Sequence, residues 1–485
     1  MATVTNDKAT SRGDDDMIQQ NSAAAIDKVW PSSPMHPLNW PLSKRWKNAL
    51  IISVTGFLST LGSSILVPAA PYMQDEWLVN SRELLTLATT AMYVLGLGAG
   101  PFLFAPISEL YGRQVAYASS MIGFFAFNLG CCFAPSFAGV FGSSGPGLGV
   151  ATISDLFIPR ERGRVISVYA IGPLLGPSLG SILGSYITLV YWRWTLRILT
   201  IAVAINVGAV ILFMDETYAP VLEQAWRESP NDADEEMCVG AKDKVRAVFR
   251  PKPEAKSVII RTFTRPPRML INPVCAIFVM YYAYIYSIIY IYLVSLPLLF
   301  SQHDPPTGIF TYGWTRKTQG LCYIGLMLGF LSAAIVASNC ADKIYKGCCK
   351  RYKSEGQPEF RLIGMLLFPV GVLVWAWTAE AQTHWIVPLI GSYILAFGLM
   401  LAFNSIQNFI VDAFVPFSAA AMAAATFMRS LVGCVLPIFS DSLFINLGYG
   451  VGGTILACIS LPAIPAPFVL FMFGQRLRER YKFVN

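Results

Sequence analysis

Charge is scarce in this chain. Only 13% of its 485 residues are charged, against roughly a quarter in ordinary soluble domains. So few ionised side chains cannot cover the surface of a soluble protein of this length, which excludes that class. Histidine is scarcer still. There are three, and none of the ten cysteines stands at zinc-ligand spacing to them, which argues against a metal centre. No strand precedes the glycine-rich Gly145-Pro146-Gly147-Leu148-Gly149, so it does not read as a phosphate cradle. With no nucleophile constellation either, the chain reads as a non-enzyme that needs no cofactor. The net charge is +7, yet the basic residues stand in short groups at the ends of apolar segments, which argues against a nucleic-acid partner. The first thirty residues carry Gly13-Asp14-Asp15-Asp16 and hold no apolar core. They read as a disordered cytosolic tail rather than a signal peptide.

What abounds is apolar surface, at 54% of residues with a mean hydropathy of +0.52. A helix crosses the hydrocarbon core, about 30 Å thick, with about twenty mostly apolar residues. Such stretches fall at 48–70, 84–106, 114–134, 137–154, 165–188 and 194–214. They return at 271–300, 319–340, 361–379, 385–410, 418–441 and 450–473. The twelve expected spans divide six and six around 215–270, a stretch with ten basic and ten acidic residues. The expected order is a cytosolic tail over 1–47, a six-helix bundle over 48–214, a cytosolic loop over 215–270, a second six-helix bundle over 271–473 and a tail over 474–485. Lys44, Arg45, Lys47, Arg113, Arg160, Arg162, Arg164 and the Arg476–Lys482 run fall on one side of this arrangement. By the positive-inside rule that side, with both termini, is cytosolic.

The two halves echo each other. Ser154-Asp155-Leu156-Phe157-Ile158-Pro159 ends the fourth span, and Val411-Asp412-Ala413-Phe414-Val415-Pro416 ends the tenth. The same offset of 257 carries Gly176 onto Gly433. Parallel six-helix repeats build transporters that rock about a site at the membrane midplane.

Between the second and third spans stands Ala105-Pro106-Ile107-Ser108-Glu109-Leu110-Tyr111-Gly112-Arg113-Gln114. It resembles the corresponding loop of the major facilitator superfamily, with Ala105 where a glycine is usual and Glu109 where an aspartate is usual. The resemblance implies a tight turn at Gly112 and a gate in which Arg113 meets carboxylates at neighbouring cytosolic helix ends, Asp155 among them. The fifth span carries Gly172-x-x-x-Gly176-Pro177-x-x-Gly180-x-x-x-Gly184, similar to the antiporter signature of that superfamily. Small residues four apart make a flat face on which a second helix packs closely, and a proline inside a helix removes a backbone hydrogen bond. Asn39-Trp40-Pro41, Tyr191-Trp192-Arg193-Trp194, Asp215-Glu216-Thr217-Tyr218-Ala219-Pro220, Pro358-Glu359-Phe360-Arg361-Leu362 and His384-Trp385-Ile386-Val387-Pro388 resemble the fungal twelve-helix drug:proton antiporter branch. The likeness runs from about residue 38 to 480. It implies an all-α major facilitator fold and export by exchange with protons.

One departure stands out. That branch carries an arginine early in the fourth span, linked to proton coupling, whereas Cys132-Phe133-Ala134-Pro135-Ser136-Phe137-Ala138-Gly139 passes from the third span into the fourth without one. Phe137–Ser154 is eighteen residues, about 27 Å of helix, which barely spans. Coupling is expected to suffer more than insertion.

Ionisable residues within a membrane are functional candidates by default. Arg429 falls near the middle of the eleventh span with no acidic neighbour in sequence, so it needs a partner from another helix, backbone carbonyls or an anionic substrate. Asn404, Gln407 and Asn408 share one face of the tenth span by their i, i+3, i+4 spacing. The seventh span carries Tyr281, Tyr282, Tyr284, Tyr286, Tyr290 and Tyr292, a run too long for an interfacial belt alone. Some of these, with Tyr282 and Tyr286 foremost, are expected to line a cavity for flat organic ligands. No carboxylate falls near the centre of any expected span. The reading is a multi-pass plasma-membrane exporter of a drug, toxin or secondary metabolite, working as a monomer with protons as coupling ion. Proton-coupled uptake of a nutrient, or a sensor that has lost transport, stand as alternatives.

Overall fold

The structure is a computed structural model that describes residues 30–77, 81, 84, 86–133, 149–157, 159–228, 255–302, 308–337, 367–414 and 418–460. The fold is all-α, and no strand occurs among these residues. In the first half of the chain the helices are α1 (Leu42–Leu61), α2 (Ala70–Trp77), α3 (Met92–Tyr111), α4 (Arg113–Cys132), α5 (Gly149–Leu156), α6 (Pro159–Thr188) and α7 (Arg193–Phe213). Two amphipathic helices, α8 (Ala219–Glu228) and α9 (Ala255–Ile271), lie in the stretch expected to be a loop. Then come α10 (Pro273–Phe300), α11 (Arg316–Ala337), α12 (Phe368–Glu380), α13 (Ile386–Ala413), α14 (Ser418–Ile438) and α15 (Ser440–Ser460).

Eight of the described helices are long and apolar enough to cross a membrane. Their burial sorts them. The apolar window of α10 is 83% buried and that of α7 only 33%, so α10 is central and α7 peripheral. On α7 the side chains of Ile198, Ile201, Ile205 and Leu212 face outward, an apolar rim that water would not tolerate and lipid does. Inside, Tyr282, Tyr290, Tyr292 and Trp375 are fully enclosed.

Pairing of helices repeats between the halves. In the first half α1 packs along α6, and α4 along α7. In the second, α10 packs along α14, and α12 along α13 and α15. The halves meet where α3 touches α14 and where α6 touches the start of α11. Gly98 makes the first approach possible, since a Cβ there would lie 2.5 Å from Ser430 Cβ. Gly320 does the same opposite Ser185, again at 2.5 Å.

Several boundaries differ from expectation. The first span ends at Leu61 rather than 70. Turns and a 3-10 segment, Val67–Ala69, follow before α2, because Pro68 and Pro71 cannot supply amides to a continuing helix. The sixth helix starts at Pro159, six residues before the expected 165. The tenth expected span runs on to Ala413. Near the last span α15 breaks at Gly448 (φ 79°, ψ 166°), a left-handed conformation that glycine adopts without strain. The Glu380 carboxylate fills that break and accepts the Gly450 amide at 3.1 Å. Most of the expected fourth span lies outside the described residues, as does the Ser136–Phe137 junction.

The glycine face of α6 sits directly on α1. A Cβ at Gly172 would lie 2.9 Å from the Ser53 carbonyl, one at Gly176 2.9 Å from the Leu61 amide, and one at Gly180 2.7 Å from the Leu61 carbonyl. The Ser64 hydroxyl donates to the Pro177 carbonyl at 2.6 Å and stitches the two helices together. Gly180→Val should therefore force α6 off α1, a loss on the order of 1–3 kcal/mol. Thermal unfolding of the purified protein should show a lower midpoint than wild type. Gly123→Ala should not lower it, because nothing lies within 4 Å of a Cβ there and alanine favours a helix interior over glycine.

Candidate functional site

The first constellation surrounds Arg429, near the middle of α14. Its Nη1 donates to the Tyr282 phenol at 3.2 Å. Its guanidinium carbon lies 4.6 Å from the centre of the Tyr286 ring and 5.6 Å from those of Tyr282 and Phe403. A cation over aromatic faces gains about 0.5–1 kcal/mol where exposed and about 2 where desolvated. Tyr282, Tyr286 and Tyr290 come to one face of α10 because they stand four residues apart. The Tyr286 and Tyr290 hydroxyls are 3.2 Å apart, and that of Tyr290 is 2.8 Å from Ser63 Oγ on the first half of the chain. A line of polar contacts thus crosses between the halves. Gly433, one turn beyond Arg429, leaves room for it: a Cβ there would lie 3.1 Å from the Tyr286 ring.

The remaining candidates separate. Tyr281 packs against Phe368, Tyr292 packs against Trp375 at 4.7 Å, and the Tyr284 hydroxyl donates to the Leu456 carbonyl. These three serve the second half's interior rather than the Arg429 cluster. On α13, Asn404, Gln407 and Asn408 are buried, with the Asn408 amide donating to the Asn404 carbonyl at 2.9 Å. Both polar atoms of the Asn404 side chain, Gln407 Oε1 and Ser430 Oγ are buried without a protein partner.

The second constellation lies at the α4 N-terminal end of the bundle. Gly112 takes φ +94°, and the chain turns there into α4. Arg113 Nε donates to Asp155 Oδ2 at 2.8 Å, its Nη1 donates to Ser108 Oγ, and its guanidinium lies over the Tyr218 ring at 4.9 Å. Glu109 is close enough to Tyr218 to act on its phenol. The Glu216 carboxylate holds the turn together. It accepts the amides of Arg113 (2.8 Å), Gln114 (3.1 Å), Thr217 (2.9 Å) and Tyr218 (2.8 Å). A carboxylate at a helix N-terminus satisfies orphan amides and complements the macrodipole. Burial pushes the Glu216 carboxyl above its ordinary range, although the amides of Tyr218, Arg113 and Gln114 work against the rise. Nearby, burial also works to raise Asp215, but Lys47, Asn48 and Lys44 hold it below the usual carboxylate range. Lys47 meets it at 2.8 Å.

Glu216, Ser63 and Phe403 are the members of these constellations that sequence reasoning did not single out. Glu216 carried a signal, since it sits in the Asp215–Pro220 motif. The others touch residues too far away in sequence for spacing to show. Among the described residues no group of three or more His, Cys, Asp or Glu could hold a metal ion.

Two measurements probe the α4 end. Glu216→Gln keeps the oxygen that accepts three of the four amides and removes a buried charge whose carboxyl is already raised. Its unfolding midpoint at neutral pH should stay near wild type. Glu216→Ala leaves all four unpaired and should lower it, by roughly 1–3 kcal/mol of stability. Arg113→Ala should reduce transport while protein at the membrane stays constant. Normal transport would count against a gate.

A sequence model of the Major Facilitator Superfamily matches residues 52–437. Efflux pump radE of Floropilus chiversii is 31% identical over 474 residues, covering 94% of this chain and 85% of the pump. MFS transporter cpaT of Aspergillus oryzae is 32% identical over 470 residues, with 93% and 91% covered. Among solved structures the proton:xylose symporter XylE of E. coli superposes with a TM-score of 0.63 at 15% identity, over 90% of this chain and 96% of that one, a likeness of fold. An apolar helical bundle with helix pairs repeated between its halves, a glycine-faced helix and a turn held by Glu216 beside the Arg113–Asp155 pair thus coincides with a match over most of the chain. This protein belongs to the major facilitator superfamily of multi-pass membrane transporters.

Proposed function

We propose that the chain exports a small organic compound, a drug, toxin or secondary metabolite, out of the cell, by a proton exchange that its fourth span leaves weak. The observation that carries this reading is the Arg429–tyrosine cluster, held deep in the bundle where the two halves of the chain meet. Rings and phenols offer flat faces with polar edges, the surface an amphipathic organic molecule needs. Relatives named efflux pump and transporter align over nearly the whole chain, which supports export over uptake. Rocking of one half against the other would open the cluster to either side in turn. The Ser63–Tyr290 hydrogen bond, 2.8 Å long, and the contact of Gly320 with Ser185 must then part in each cycle. At the other end Arg113, Asp155 and Glu216 keep neighbouring helix ends moving together and act as the gate. The glycine face of α6 lets that helix slide as one body with α1. In this reading both termini and 215–270 face the cytosol of a plasma-membrane protein, and one chain suffices for transport.

The fourth span sets the expectation for coupling. A missing charge cannot be replaced by tilting a short helix, whereas length mismatch costs only fractions of a kcal/mol per Å. Expression in a yeast strain stripped of its own pumps should lower accumulation of at least one compound in a resistance screen. A protonophore should change that export little. Inserting a family-like segment with an arginine between Ser136 and Phe137 should make export depend on the gradient. Accumulation inside the cell would favour uptake, and strong gradient dependence of the unmodified chain would contradict the coupling argument.

A further inference from the structure

Arg429 keeps its charge at any physiological pH, yet among the described residues the groups that act most strongly on that charge are the phenols of Tyr282, Tyr286, Tyr169 and Tyr290. No carboxylate is among these four. Its hydrogen-bonding edge is only partly used. Nη1 is taken by Tyr282, while Nε is buried without a partner. The residue as a whole is not fully enclosed, although it stands in mid-helix and its ring neighbours Tyr282, Tyr286 and Phe403 are buried. Nε itself is covered in this state, so a solute reaches it only when the rings around it part.

These features have one chemistry in common. The edge of a guanidinium offers parallel N–H donors that match the two oxygens of a carboxylate, and such charge-assisted pairs are roughly twice as strong as neutral ones. In a low-dielectric interior the same cation repels another cation. We infer that the exported compound is an organic anion, an aromatic or polycyclic body bearing a carboxylate or an acidic enol. Its oxygens pair with the Nε edge of Arg429, and its rings lie against Tyr286 and Phe403. The inference rests on the efflux reading above and narrows its substrate to one charge class. A neutral substrate would leave the Nε donor without a charged partner, and a cationic one would need a carboxylate that the described residues of this cluster do not hold.

Three probes with one ring system separate the classes: naphthylacetate, naphthylacetamide and naphthylmethylammonium. Each is titrated against the purified full chain in lipid nanodiscs, and the thermal unfolding midpoint is followed. The carboxylate should stabilise the protein at concentrations about tenfold lower than the amide, the difference expected of a charged against a neutral hydrogen-bond partner, and the ammonium should not stabilise it. Arg429→Gln should lose the advantage of the carboxylate and keep the response to the amide. Arg429→Lys, which retains the charge without the fork, should fall between. Gel filtration and the probe-free midpoint show whether each variant is folded, and Arg429→Lys carries the test if Arg429→Gln is not. Equal response to amide and carboxylate, stabilisation by the ammonium, or no response to the carboxylate would overturn the inference. Compound export by the pump-deficient yeast is scored separately. Export of neutral or cationic compounds without anion binding sinks the anion assignment and leaves efflux standing. Carboxylate binding without export of any compound does the reverse.

Discussion

A guanidinium placed halfway along a membrane helix has no water to solvate it, so the protein must answer it from neighbouring helices. Around Arg429 the answer is aromatic. Two tyrosines of α10 and a phenylalanine of α13 present ring faces to it, and one phenol accepts from it. That arrangement draws three helices to one point on α10, the most enclosed of the eight membrane-length helices among the described residues. It also explains why Gly433 must be small. Among the described residues the cluster holds together without an opposing carboxylate, which leaves the guanidinium's Nε without a partner.

Close approach of backbones is the second constraint, and it follows from the first. Helices in lipid gain nothing from burying apolar side chains against one another, so they associate through tight packing and polar stitches. The α6 glycines against α1, Gly98 against Ser430 and Gly320 against Ser185 are where this happens. Two of these three contacts lie between the halves of the chain. A surface made of small residues can separate and close again without side chains interlocking, whereas a jigsaw of large residues resists both. Carboxylate-capped glycine turns recur at opposite ends of the bundle, with Glu216 at Gly112 and Glu380 at Gly448. Both carboxylates satisfy amides where the chain leaves its helical path.

Much of this was legible in the sequence because the bilayer imposes simple rules. Apolar runs marked most spans, and basic residues marked one end. Arg113 and Asp155 could be placed in one gate only through the resemblance of their motif, and the structure brings them to 2.8 Å. The six tyrosines of the seventh span were visible as a group. Their division was written in spacing: 282, 286 and 290 share a face, and 281, 284 and 292 fall off it. What stayed hidden was contact across long separations. Nothing near Ser63 announces Tyr290, and nothing near Phe403 announces Arg429. The end of the first span was misplaced because hydropathy continues through Pro68, where the helix does not.

The account depends on the two halves moving apart at the end of the bundle opposite Arg113. There Arg316 Nη2 lies 3.9 Å from Asp75 Oδ2, and both side chains are exposed. Asp75→Cys and Arg316→Cys in one chain can be joined by a short bifunctional methanethiosulfonate reagent and released again by reduction. The account predicts that transport falls to background when the link is made and returns when it is cut. Undiminished transport with the halves linked would contradict it.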